Sequence, residues 1–367
     1  MVNDLEWNEP EPASFYEEAC DWLGEGFATI DAARVRSKQK LTELSACLES
    51  QTFGESTGFI AFGSLARLEF TDGSDLDWTL LVNGPSDLGQ YETSLAIKRS
   101  LEAADFTKPG PSGLFGGVSS SFELIHQIGG LEDTNANMTR RLLLLLESVA
   151  VEGDIVRQGV LHQLLQRYVR YGRSVEGSKA ESLKPPRFLL NDFVRFWRTM
   201  AVDYDAKKWL APDEKWALRN AKLRFSRKLI FVKGLLLGLD CQLSPDAWPW
   251  SALPADEFHE APEERLQQGL QRLIELPAID SVCRTAKLVN ASDSLREILL
   301  AYDQFLSVLA DESSREQLKT LRFDEAEKNA LFSDLRVAGK KFGNALQDLL
   351  FRSDDKLTAL AMDYGVF

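Results

Sequence analysis

The segment Gly58–Val82, GFIAFGSLARLEFTDGSDLDWTLLV, constrains the fold of this chain more than any other. Its apolar runs are too short for core helices, so the pattern predicts two buried strands, Phe59–Phe62 and Asp77–Val82. Gly63-Ser64 reads as a tight turn leading into a helical turn, and Asp72-Gly73 as the turn before the second strand. Side chains at i and i+2 of a strand point the same way, roughly 6.5 Å apart, so Asp75 and Asp77 share a face while Leu76 turns to the core.

A carboxylate inside an apolar run is costly to bury without compensation. Two such groups on one face offer the hard oxygen donors that Mg²⁺ takes, with Mn²⁺ as a possible substitute. The small Gly63-Ser64 pair at a helix start exposes backbone N–H groups and a hydroxyl suited to phosphate. Two ions about 4 Å apart would orient a triphosphate and lower the pKa of an attacking hydroxyl, and such a site needs a third carboxylate. Val118–Ile128 (VSSSFELIHQI) reads as a further strand, which makes Glu123 the expected third metal ligand and partial base. The plainer alternative is that the aspartates decorate a hairpin turn.

These residues resemble the signature of the DNA polymerase β-like nucleotidyltransferase superfamily: GS, an intervening stretch with Arg67, then SDLDWTLL. The resemblance covers about Phe59 to Val82, with Glu123 fitting the third carboxylate, and it implies phosphate contacts from Arg67 and Ser74. It implies an α+β fold, in which a mixed sheet with helices is followed by an all-helical domain, and a magnesium-dependent transfer of nucleotidyl groups.

The rest of the chain bounds that expectation. Its 367 residues, 44% apolar, suffice for two cores. The boundaries expected are N-terminal helices over 1–50, a catalytic core over 51–176, and a helical domain over 177–367. Cys20, Cys47, Cys241 and Cys283 are far apart with no C-x-x-C pair, which argues against a zinc site or disulfide framework. The acidic N-terminus has no apolar signal core and no run approaches a membrane span, so a cytoplasmic protein without membrane insertion is expected. A formal charge of −14 excludes broad coating of nucleic acid and requires a local basic patch for any nucleotide contact.

Ser14–Leu48 has the spacing of two helices packed beside the sheet, and Tyr91–Ala104 that of an amphipathic helix. Thr107–Gly117 is a Gly/Pro loop. Thr139–Val149 and Ile155–Tyr171 read as helices, and Gly177–Pro186 as the linker. The helix predicted over Pro186–Asp205 aligns Asn191, Arg195 and Arg198 in one polar stripe. The next, Lys215–Leu236, places Lys215, Arg219, Lys222, Ser226 and Lys233 on one face. A solvated surface explains either stripe. The superfamily resemblance implies instead that Lys222 and Ser226, one turn apart, meet the triphosphate, with Arg195, Arg198 and Arg219 beside them.

The chain ends AMDYGVF, and a phenol held at the metals could attack an α-phosphate. The superfamily core, an all-helical second half and Tyr364 together resemble the nucleotidyltransferases of Hailong anti-phage defence. That resemblance implies single-stranded DNA oligomers made from deoxy-ATP, primed on Tyr364, which act on a partner membrane-channel effector. The same core fits a synthase of cyclic or linear ribonucleotide messengers, or an enzyme modifying RNA, protein or a small molecule. A non-catalytic antitoxin or binding module is the remaining alternative.

Overall fold

The computed structural model describes residues 14–110, 113–171, 183–210, 215–244 and 262–365. The acidic N-terminal stretch, the centre of the Gly/Pro loop and most of the Gly177–Pro186 linker lie outside them. The architecture is α+β: a small mixed sheet set among many helices. The chain opens with α1 (Phe15–Leu23) and α2 (Ala28–Leu48), then lays down β1 (Thr57–Phe62) and β2 (Asp77–Val82). α3 (Leu88–Ala103) crosses to β3 (Gly117–Ser120), and α4 (Ser121–His126) and α5 (Asn135–Leu146) lead to β4 (Ser148–Glu152) and α6 (Asp154–Tyr171). Helices follow to the end: α7 (Arg187–Leu210), α8 (Trp216–Arg224), α9 (Ser226–Leu243), α10 (Pro262–Glu275), α11 (Ala278–Leu288), α12 (Ser292–Ala310), α13 (Glu312–Thr320), α14 (Ala330–Phe351) and α15 (Asp355–Gly365).

The strand order is β3-β2-β1-β4, with β1 antiparallel to both neighbours and β3 parallel to β2. Every residue of β1 is buried, as expected of a central strand covered on both faces. Ile60, Phe62 and Leu81 join a core that continues through α5, α6 and the later helices as far as Ala361. On the opposite face, Phe59, Ala61, Trp78 and Leu80 meet Leu44 and Leu48 of α2 and Ile97 and Leu101 of α3. The Phe59 and Trp78 rings stack there at 5.2 Å.

Three elements differ from the sequence expectation. The strand over Val118–Ile128 stops at Ser120, because Ser120 caps a short helix by accepting a hydrogen bond from the Phe122 amide. The helix over Thr139–Val149 ends at Leu146, and the β-branched alternation Ser-Val-Ala-Val becomes edge strand β4. The helix over Lys215–Leu236 is broken at Phe225 (φ −113°, ψ −89°). Its buried ring stacks on Phe305 of α12 at 4.6 Å and lies 5.2 Å from Phe342 of α14, so packing overrides helical continuity.

The N-terminal helices serve more than the sheet. Arg34 of α2 pairs with Asp280 of α11 at 2.8 Å, and Asp303 of α12 accepts from the Thr29 and Ile30 amides at the start of α2. They therefore fasten the sheet to the helical half.

Gly153 closes the β1–β4 edge with φ +72°, and a Cβ there would fall 2.6 Å from the Thr57 carbonyl oxygen. Gly153→Ala should cost roughly 2–4 kcal/mol of unfolding free energy in urea. Gly113→Ala, at φ +70° but facing open space, should cost only about 1 kcal/mol. Equal losses would show that backbone strain, and not the close approach, governs this edge.

Candidate functional site

The sheet register builds the site. Phe62, the last residue of β1, pairs with Asp77 on one side and with Ser148 on the other, so the chain at Gly63 runs between Asp77 and Glu147. Asp77 shares its face with Thr79, Leu81 and the paired Phe62, the face turned to the helical half. Gly63 is left-handed (φ +73°), and a Cβ on it would stand 3.5 Å from Asp77 Oδ2. Only glycine gives that turn without strain and keeps it open beside the carboxylate. The Arg67 amide donates to the Gly63 carbonyl at 3.0 Å, which makes residues 63–67 the helical turn expected.

Asp75 and Asp77 are brought together: Asp75 is exposed in the loop and Asp77 half-buried at the strand start. Burial, then repulsion from Glu147 and Asp75, raises the Asp77 carboxyl from its usual 3.8 to about 6. Lys222 and Arg67 oppose that shift.

Glu123 does not join them. It is exposed on α4, beyond Ser120, which pairs with Val82 at the far end of β2. Five residues of strand separate that end from Asp77, about 16 Å. The acid that does act on Asp77 is Glu147, at the foot of β4. Its sequence signal was the acid at the boundary of LLLLL and SVAVEG, hidden by extending the preceding helix across it.

Glu147 is held from two directions. Arg67 is buried and ion-paired with both Glu147 and Glu69, the latter at 2.8 Å. The guanidinium expected to meet phosphate is paired with these two acids instead. Lys233, also buried, donates to the carbonyls of Leu146 at 2.8 Å and Ile274 at 2.9 Å. It was expected on the basic face with Lys222. Instead it ties down the residue before Glu147, and burial lowers its pKa to about 7. Behind Arg67, burial raises the pKa of Glu69, and the Tyr302 hydroxyl reaches the margin of the same carboxylate.

The helical half supplies cations. Lys222 of α8 is half-buried and lies close enough to Asp75 and Asp77 to affect both charges. Burial, then repulsion by Arg315, brings its ammonium down to about 8, while Asp75 pulls the other way. Arg227 of α9 feels Glu147 and Arg67, and Arg219 stands near it. Ser226 is buried at the α8–α9 junction, where its hydroxyl donates to the Lys222 carbonyl at 3.3 Å. Ser64 is half-buried beside Gly63, and Ser74 shapes the turn by accepting from the Thr71 amide at 3.1 Å.

Three other expected residues lie elsewhere. Arg195 pairs with Asp133 at 3.1 Å, beside the buried Arg141–Asp192 pair. Asp133 precedes α5 and Glu147 follows it, about 18 Å apart along the helix. Arg198 is exposed one turn farther along α7. Tyr364 is half-buried in α15 under the Arg187 guanidinium, 4.8 Å from its ring centroid. A Cβ on the neighbouring Gly365 would stand 3.7 Å from Leu235 Cδ2, and Leu235 lies about 14 Å along α9 from Ser226. The structure does not bring this phenol to the aspartates.

Among the described residues, no three His, Cys, Asp or Glu side chains stand together as a metal-holding group. The donor chemistry still fits a hard divalent cation. Asp75 and Asp77 offer carboxylate oxygens, Lys222 and Arg67 only partly offset the repulsion on Asp77, and Glu147 is turned to Arg67.

No described helix is long and apolar enough to cross a membrane. Comparison of the chain with protein-family models, curated proteins and solved structures gave no match.

The raised Asp77 pKa carries a sign. The neutral form is favoured in the fold, so this group's contribution is fully present below about pH 4 and is lost as pH rises through about 6. In the absence of divalent cations, Asp77→Asn should therefore be more stable than the parent at pH 7.5 by about 1 kcal/mol, a value discounted for partial exposure. The difference should vanish near pH 3.5. Urea titrations at both pH values check it, and a destabilised variant at pH 7.5 would contradict the assignment.

Proposed function

We propose that the chain is a nucleotidyltransferase of the polymerase β-like kind, acting on a nucleoside triphosphate at the Asp75–Asp77–Glu147 cluster. The observation that carries the reading is that Asp77, beside the open Gly63 turn, feels the charges of Asp75, Glu147 and Lys222 together. A scaffold gains nothing from placing further negative charge beside a carboxylate that burial already makes costly to ionise.

Asp75, Asp77 and, once released from Arg67, Glu147 would hold Mg²⁺. The bound ion would supply charge neutralisation on the α-phosphate and acidify the attacking hydroxyl. The remaining work falls to the protein. Gly63 lets phosphate oxygens approach the backbone of the following turn. Lys222 places a cation against the phosphates, and its depressed pKa rises as they bind. The acceptor hydroxyl attacks the α-phosphorus, the bond to the pyrophosphate oxygen breaks, and the hydroxyl proton passes to a carboxylate of the cluster.

The resemblance drawn from the sequence favours deoxy-ATP as donor and a growing DNA strand as acceptor. Priming on Tyr364 draws no support from its place under Arg187, so the acceptor in this reading is a separate hydroxyl.

Incubation with Mg²⁺ and each α-labelled ribo- and deoxynucleotide tests the proposal and identifies the donor. Transfer of label should be lost in Asp77→Ala and reduced at least 100-fold in Glu147→Gln. Glu123→Gln should leave it within twofold. Activity lost with Glu123→Gln but retained with Glu147→Gln would reverse the carboxylate assignment, and no transfer from any nucleotide would end the enzymatic reading.

Lys222→Met should raise the KM for the triphosphate by roughly 10- to 100-fold with a smaller change in kcat. An unchanged KM with kcat alone reduced would show that Lys222 acts elsewhere in the reaction.

A further inference from the structure

We propose that Arg315, on α13, is a contact for the terminal phosphates of the nucleotide, and that with Lys222 it forms a two-cation seat for a pyrophosphate group. The ligand's identity rests on the nucleotidyl-transfer reading. The seat rests on separate observations.

Arg315 is only 8% exposed. A guanidinium presents five N–H donors in a rigid fork, and burying it with those donors unfilled is costly. Its Nε is buried with no hydrogen-bond partner, and Nη1 makes one long bond, 3.3 Å to the Thr71 hydroxyl. The acids that act on it, Asp75 and Glu316, do so at a distance. This is a buried cation with spare donors.

Lys222 is its neighbour. Arg315 exerts the largest charge repulsion on Lys222, and Asp75 is the acid that acts on both. Asp77 also acts on Lys222 and Glu316 on Arg315, yet neither cation closes an ion pair with these acids, so both keep donors that a polyanion can take. Their position beside the Asp75 loop puts the seat at the phosphate end of the site.

The turn at Gly73 is shaped for this guanidinium. A Cβ on Gly73 would fall 2.2 Å from Arg315 Nη1 and 2.6 Å from its Cζ. Arg315 thus lies directly on the loop that carries Asp75, and a phosphate seated there would join α13, α8 and that loop through one ligand. The pyrophosphate moiety could come attached to the nucleotide or free as the product of transfer.

Calorimetry with a nonhydrolysable deoxy-ATP analogue, deoxy-AMP and inorganic pyrophosphate tests the seat in the full chain. Arg315→Gln should weaken the triphosphate analogue by roughly 10- to 50-fold and leave deoxy-AMP within twofold. Gly73→Ala keeps the arginine but displaces its tip, and should give a smaller loss of the same kind. A parallel loss of pyrophosphate binding would show that the seat takes the free group too; pyrophosphate silent in the parent would restrict the seat to the attached one.

Triphosphate binding unchanged in both variants overturns the proposal while leaving nucleotidyl transfer standing. Equal loss of deoxy-AMP, with a lowered melting temperature, would make Arg315 structural and also overturn it. If the parent binds pyrophosphate but no nucleotide, the seat stands and the nucleotidyl-transfer reading falls.

Discussion

The pairing of Phe62 with Asp77 on one side and Ser148 on the other fixes where charge can stand in this molecule. Because β1 is buried along its whole length, its end cannot shift without moving hydrophobic residues on both faces of the sheet. Asp77 and Glu147 are therefore held across Gly63 although their charges repel. The helices around the sheet, the buried Arg67 and the Lys233 bonds all act on that arrangement. Arg67 offsets part of the repulsion, and Lys233 fixes the carbonyl immediately before Glu147.

The helical half balances the acidic sheet end. α8, α9 and α13 bring Lys222, Arg227 and Arg315 toward Asp75, Asp77 and Glu147, and the break at Phe225 lets α8 and α9 take separate directions. The cations are only partly matched to the acids. Lys222 and Asp77 are both displaced toward their neutral forms, so the site as it stands stores electrostatic cost on both sides. A cation among the carboxylates and a polyanion against Lys222 would relieve the two together, which is the composition of a metal-bound nucleotide.

Much of this was legible in the sequence where local pattern and tertiary packing agree. The runs FIAF and DWTLLV became β1 and β2 because each is a short, largely apolar run that the fold covers on both faces, and Gly63 announced a turn that only glycine makes without strain. The α3 and α6 helices fell close to their expected spans for the same reason. Failures came where a short element competes with a stronger neighbour. β4 sits directly after five leucines, so a helical period runs over it and hides Glu147. VSSSFELIHQI has apolar residues at a spacing compatible with either state, and the Ser120 cap decides for helix. Phe225 breaks its helix for partners about 80 and 117 residues away, which no local pattern reveals. Arg315 was invisible because a single arginine in a polar segment gives no sign of burial.

Everything turns on which oxygens a divalent ion would meet. A crystal structure with Mg²⁺ and a nonhydrolysable deoxy-ATP analogue tests it most directly. Ions should lie between Asp75 and Asp77, with Glu147 turned toward them and Arg67 left paired with Glu69. Ions held by Glu123, or a nucleotide bound with no ion near Asp77, would contradict it.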